Sequence, residues 1–141
     1  PSLPEPYRAR QVACGFALYG ALGIERGNRK GRRAQWLKNY HGFGAPVELM
    51  FFVDAILEKG SWIDMGMFIQ NVMLVARGFG LETCPQASFA EYPDIVRDIL
   101  GMPESMLVVS GVAIGYPDRA DPVNNYRTER EPVENFTTWF D

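Results

Sequence analysis

Among residues that commonly do chemistry, this sequence holds one histidine, His41, and two cysteines, Cys14 and Cys84. A single imidazole leaves no Ser-His-Asp set and removes most general acid–base schemes. The cysteines lie 70 positions apart without a CxxC spacing, so no zinc site or disulfide framework is expected, and both thiols read as free and buried. P-loop, GxGxxG and HExxH patterns are also missing. With so little side-chain chemistry, a bound cofactor is the natural carrier of a reaction, the protein supplying orientation, desolvation and electrostatics. The stretch that invites one is Gly78-Phe-Gly-Leu-Glu-Thr-Cys-Pro-Gln-Ala-Ser88. Ser88 and Glu91 have capping-box spacing, which leaves backbone N–H groups around Ala87 to Ala90 available to an acceptor. Pro93 shortens that turn and suits the first position of a new helix. The alternative is that Ser88 merely caps a surface helix.

A second chemical feature is electrostatic. Residues 1–40 carry a net +6 and residues 41–141 a net −9. The cluster Arg26, Arg29, Lys30, Arg32 and Arg33 suits a phosphorylated dinucleotide, or else an ordinary solvated surface; it lacks the interleaved aromatics of a single-strand-binding groove, so no nucleic-acid partner is expected. With 47% hydrophobic and 22% charged residues over 141 positions, the composition predicts one globular domain over 1–141. No uninterrupted apolar run reaches membrane-spanning length and no signal peptide is visible, which predicts a cytoplasmic protein with no membrane partner.

These features need elements to position them. Val12, Phe16, Tyr19 and Leu22 recur at helical spacing from Tyr7, with Gly23 as a stop. A short helix carries Ala34, Trp36 and Leu37, and Asn39 to Pro46 reads as a turn. Val47 to Val53, broken only by Glu48, predicts a strand buried on both faces; Met106 to Gly115 predicts another and Leu81 to Cys84 a short third. Strands separated by helices indicate a mixed α/β layer architecture.

Ser61 and Asp64 form a capping signal for a helix over Trp62 to Arg77, about 24 Å long and apolar on nearly every face, hence expected to be buried all round, in part by another subunit. Gln70 and Asn71 stand inside that apolar surface and are expected to bond a subunit interface or a ligand. Residues 116–141 read as an extended C-terminal arm whose Phe136, Trp139 and Phe140 dock on the body or on a partner.

Five segments resemble, in order, motifs of the FMN-dependent nitroreductase family. They are Asn39-Tyr-x-x-Phe-Gly-Ala-Pro46, Trp62-Ile-Asp-Met-Gly66, Gly80-Leu-x-Thr-Cys-Pro-Gln86, Val109-x-Gly-x-Ala-Ile-Gly115 and Arg127-x-x-Arg-x-Pro132. The resemblance implies an α+β fold: a nitroreductase-like mixed sheet flanked by helices, with a long buried central helix and the C-terminal arm. It implies a homodimer with FMN at each interface, reduced by NADPH or NADH and reoxidised by a nitro-aromatic, quinone or similar small aromatic acceptor. Thr83, Cys84, Pro85, Gln86, Ala87 and Ser88 would line the flavin ring through backbone groups. Arg130 would pair with the FMN phosphate, with Arg127 beside it. Tyr40 and Phe43 would shape the acceptor site, unless they pack the core. No side chain acts as a nucleophile.

Departures from the family pattern temper these expectations. Where an acidic residue and Gly often stand, this chain has Ala87-Ser88, and the family's Arg-x-Ser-x-Arg and Asn-x-Gln-Pro-Trp segments have no match. Together with a start at Pro1, this reads as a C-terminal portion of such an enzyme. The expectation is weak FMN binding by this chain alone, since each lost phosphate anchor costs about 1.5–3 kcal/mol. The same motifs also admit a flavin-dependent reductive dehalogenase, or a non-catalytic dimerising fragment.

Overall fold

The computed structural model describes residues 3–140. In chain order the elements are α1 (Tyr7–Ala21), α2 (Arg29–Leu37), a 3-10 segment Lys38–Gly44, β1 (Val47–Asp54), α3 (Lys59–Gly78), β2 (Glu82–Gln86), a 3-10 turn Ala87–Glu91, α4 (Pro93–Leu100) and β3 (Met106–Gly115). Two further 3-10 turns, Pro122–Asn124 and Val133–Asn135, follow. The chain divides into two compact units, one comprising residues up to Arg32 together with those from Asp118 onward, the other Arg33–Pro117.

The second unit is built on a three-stranded sheet of order β1-β3-β2. The crossover through α3 leaves β1 and β2 parallel to one another, as a strand–helix–strand unit requires. β3 then inserts between them and pairs antiparallel with both, so the described sheet is antiparallel throughout where a mixed sheet was expected. Its central place explains the unbroken apolar run of β3: Val108, Val112 and Ala113 are buried, Val112 completely. β1 is an edge strand, and only Phe51 and Val53 along it are buried. Its expected burial on both faces therefore gives way to a half-covered strand, with a bulge between Phe51 and Phe52 where the register shifts.

α3 packs on one sheet face, where the Phe68 ring meets Phe51 edge-on at 6.0 Å. A narrow sheet covers one side of a helix. Only Ala76 along α3 is buried, whereas Trp62, Ile63, Met67, Leu74 and Val75 are exposed in the chain. The expected all-round burial is thus not supplied by this chain, and Gln70 and Asn71 lie exposed rather than inside an apolar layer.

The helix also starts earlier than the Ser61 signal suggested. Asp54 organises the preceding turn, its Oδ1 accepting from Ile56 N at 3.0 Å and its carbonyl from Leu57 N at 3.0 Å. The chain then enters α3 at Lys59, and Ser61 is an interior residue with no capping bond. Ser61→Ala is accordingly expected to shift unfolding by less than about 0.5 kcal/mol, against the roughly 1 kcal/mol of a lost cap, as a urea midpoint would show.

In the first unit, α1 ends where Gly23 adopts φ +65°. None of its residues is buried. Arg10 pairs with Glu131 at 3.3 Å, and the Asp121 side chain caps the Pro122–Asn124 turn by accepting from Val123 N at 3.0 Å. Residues 116–140 contain these short turns and no strand among the described residues, in keeping with an arm. Its terminal aromatics do not dock on this chain: Phe136, Trp139 and Phe140 are 67%, 81% and 91% exposed. No helix among the described residues is long and apolar enough to cross a membrane.

Candidate functional site

The segment Thr83–Ser88 forms the end of β2 and its passage into a 3-10 turn, in the second unit. Pairing with β3 fixes its register: Cys84 lies opposite Ala113, Pro85 opposite Val112 and Gln86 opposite Gly111. Alternation along the strand sends the Gln86 side chain into the protein, where it is 2% exposed and Nε2 donates to the Asn39 carbonyl. That bond ties the end of β2 to the segment carrying Tyr40. Pro85 and Ala87 face outward, while Thr83 and Ser88 are half-buried.

Ser88 is not the cap its spacing suggested. The turn starts at Ala87 after Gln86, without a side-chain capping bond, and Ser88 is its second residue. Its Oγ is buried and has no protein partner. The first N–H groups of a 3-10 turn have no carbonyl within the turn to bond, so the uncapped start at Ala87 is the feature suited to an external acceptor. Pro93 opens α4 at its first position, and Gly101 closes it in the left-handed region.

Tyr40 holds the turn from the side. Its ring packs edge-on against Trp36, Phe89 and Tyr92 at 5.1, 5.6 and 5.8 Å, and its hydroxyl donates to the Ser88 carbonyl at 3.4 Å. Loss of water, followed by the charge of Glu91 and then Tyr92, pushes its pKa up, so it stays a phenol. The structure places Tyr40 in packing. Because the hydroxyl contact is long, Tyr40→Phe should leave the melting transition within about 0.5 kcal/mol of wild type. Phe43 is different: it is exposed and adopts φ +53° after Gly42 at the same φ, a backbone conformation a side chain rarely takes.

The opposite sheet face from α3 carries a group that sequence reasoning passed over. Glu48 shares the line Glu48–Ala113–Cys84 across the sheet. Both carboxylate oxygens are buried without a protein partner, as is Oε1 of Gln86. Burial raises the Glu48 pKa to about 7. Space for the carboxyl comes from two glycines: a Cβ on Gly42 would lie 2.7 Å from Oε2, and one on Gly111 would lie 2.7 Å from Oε1. The only signal in the sequence was an acid interrupting an apolar strand.

Cys14 and Cys84 are both exposed and free, not buried. α1 offers Cys14 no core, and β2 is an edge strand. Crowding by the protein and then the Glu48 carboxylate push the Cys84 thiol up, away from an activated thiolate, although the residue keeps solvent contact. No group of His, Cys, Asp and Glu among the described residues could hold a metal.

Arg127 and Arg130 belong to the first unit and are exposed. Arg127 donates to the carbonyls of Asn124 and Tyr126, and Arg130 to Thr128 Oγ1 and the Glu129 carbonyl. Also in this unit, Arg26 lies over the Phe16 ring at 5.5 Å, and Arg26 and Arg32 border an open groove lined by Val12, Phe16, Tyr19 and Ile24. Arg29, Lys30 and Arg33 are exposed outside it.

The Nitroreductase family model matches residues 5–116. A protein from Pseudomonas putida named 4-nitrobenzoate reductase is 42% identical over 135 residues, which cover 96% of this chain and 60% of that protein. The chloronitrobenzene nitroreductase of Comamonas testosteroni is 38% identical over 137 residues, covering 97% of this chain and 60% of that protein. The solved FMN and NADPH-dependent nitroreductase NfnB from sphigopyxis sp. strain HMH superposes with a TM-score of 0.96 at 40% identity, covering 100% of this chain and 64% of that chain. The chain thus spans about 60% of the length of the curated relatives it matches.

Proposed function

The chain belongs to the nitroreductase family, and from that premise we propose that it works in an FMN-dependent oxidoreductase carrying reducing equivalents from NAD(P)H to nitro-aromatic or similar acceptors. The observation that carries the reading is the 42% identity, over 96% of this chain, with a 4-nitrobenzoate reductase. When bound, FMN would supply two-electron redox chemistry between the nicotinamide and the acceptor.

The residues present suit that group. A flavin ring edge is rich in acceptors, and the start of the Ala87–Glu91 turn, which no side chain caps, presents backbone N–H donors there. Ala87 N–H and Ser88 N–H are assigned to hold the ring edge, and Thr83, Cys84, Pro85 and Gln86 to form the strand end beneath them. Donors fixed in advance by strand pairing need no reorganisation when negative charge develops on the ring. Arg130 is assigned to the phosphate, a task its fixed fork of donors fits, with Arg127 beside it. Phe43, exposed on a strained backbone, is the better candidate of the two aromatics for the acceptor site, Tyr40 being engaged in packing. A second copy of the chain is assigned to the exposed apolar side of α3, as a homodimer would bury it.

The test is anaerobic. The chain is saturated with FMN at millimolar concentration, reduced with NADPH, and then given 4-nitrobenzoate. Bleaching of the flavin band and its recovery with consumption of the nitro acid is the expected result. Flavin that NADPH does not bleach faster with the folded chain than without it, even at that concentration, would remove the reading.

A further inference from the structure

The sheet face beneath the Ala87–Glu91 turn is crowded with acceptors. Glu48 Oε1 and Oε2 and Gln86 Oε1 are buried there without a protein partner, and Ser88 Oγ, a hydroxyl that can donate or accept, is buried and unpartnered in the turn itself. Gln86 spends its Nε2 on Asn39. Two glycines on different elements, Gly42 and Gly111, leave room for one carboxyl group and for little else. The ring of Phe89, the third residue of the turn, closes over Gly111, within 2.5 Å of where a Cβ there would stand. Glu48 Oε1 and the Phe89 ring thus border the same point above Gly111, which puts the carboxyl next to the turn.

We propose that Glu48 is a positioning residue of the Gln86–Phe89 turn, held between Gly42 and Gly111 as a neutral carboxylic acid whose O–H supplies a donor to this acceptor-rich face. A carboxylate in that place adds two charged acceptors to groups that already lack donors, and burial away from water penalises it further. The protonated acid removes the charge and converts one acceptor into a donor. Loss of the proton then disfavours the closed arrangement of Phe89 and the turn.

Other ionisable groups on the elements packed against Glu48 are few. β3 contributes none, β2 contributes Cys84 and Glu82, the Lys38–Gly44 segment contributes Lys38, Tyr40 and His41, and the Ala87–Glu91 turn contributes Glu91. Glu82 pairs with Arg77 at 2.5 Å, and Tyr40 is directed to the Ser88 carbonyl. Cys84 alone shares the cross-sheet line with Glu48. None supplies a cation to its oxygens.

The raised pKa of about 7 agrees with this geometry and sets the sign of the effect. Below the ordinary value of 4.5 both folded and unfolded chains hold the proton. Between that value and about 7 only the folded chain keeps it, so stability falls as pH rises through this window and levels off above it.

The decisive measurement is a pH titration of the folded chain followed by the carboxyl carbon of Glu48, assigned by its loss in Glu48→Gln, together with the amides of Gln86 to Phe89. A carboxyl midpoint near 7 is expected, with the turn amides shifting at the same midpoint. In Glu48→Gln, which keeps a neutral donor, those amides should stay flat and close to their low-pH wild-type positions. A midpoint in the ordinary carboxylate range would overturn the proposal, as would turn amides that titrate alike in both chains. Should Glu48→Gln fail to fold, Glu48→Met supplies the neutral comparison, and the wild-type carboxyl midpoint decides by itself. The Glu48 titration is independent of the flavin reading of the turn. If that reading fails, FMN leaves the turn amides unmoved while the Glu48 titration stands.

Discussion

Gly111→Val is expected to destabilise the second unit by about 3 kcal/mol or more, well beyond an ordinary surface change. Gly111 lies on the central strand, between Met50 of β1 and Gln86 of β2. A Cβ there would stand 2.5 Å from Phe89 Cδ2 and 2.7 Å from Glu48 Oε1, distances that real Cβ atoms do not tolerate. Neither neighbour can retreat freely: Phe89 packs against Tyr40, and Glu48 is boxed in by Gly42 on its other side. Valine adds two methyl groups to this conflict. Gly66→Ala is the matched control, because nothing lies within 4 Å of its Cβ position and it sits inside α3, where alanine should gain about 0.5–1 kcal/mol. Urea unfolding of the three chains measures both. A Gly111→Val chain as stable as wild type would mean that the turn does not close over the sheet.

Arg130→Ala is expected to weaken FMN binding about 10- to 100-fold, or roughly 1.4–2.8 kcal/mol, the range for losing a charge-assisted phosphate bond. The side chain is exposed and its bonds in the chain are local, to Thr128 and the Glu129 carbonyl, so the melting transition should barely move. Arg130→Lys should recover part of the affinity, since it restores the charge without the planar fork. Riboflavin, which lacks the phosphate, should bind the wild-type and Arg130→Ala chains alike. An Arg130→Ala chain with unchanged FMN affinity would return Arg130 to the status of a surface residue and leave the ring contacts untouched.

The elements with strong local signals were legible from sequence. β3 was evident because a strand covered on both faces needs a continuous apolar run. The start of α4 was legible from Pro93, which suits the first helical position; its left-handed stop at Gly101 emerged only from the structure. The capping readings at Ser61 and Ser88 went astray for a shared reason: the spacing of a capping box says nothing about where the preceding chain enters the helix. Here Asp54 and the end of β2 set those entry points. Burial was misjudged where it depends on neighbouring layers. Apolar content made α3 look enclosed, yet a narrow sheet covers one side of it.

For the candidate site, the segment Thr83–Ser88 was visible through its motif, and strand pairing with β3 now places its side chains. Glu48 was not visible as part of it. Its relation to Gly42, Gly111 and the turn depends on contacts 6 and 63 positions away in the chain, and no local pattern encodes such contacts. The aromatic role of Tyr40 is similar, because its partners Phe89 and Tyr92 lie 49 and 52 positions away, one within and one just after the turn that it steadies.

The most direct test of the flavin-facing turn is an amide-resolved titration of the chain with FMN, in wild type and in Ala87→Pro. Proline is tolerated at the first position of a helical turn but has no N–H to donate, so the substitution removes one proposed contact while sparing the fold. Saturable shifts centred on Thr83 to Ser88, at whatever affinity, and weakened in Ala87→Pro, are the predicted result. Shifts elsewhere, or none at millimolar FMN in a chain that remains folded, would contradict the assignment of this turn to the flavin.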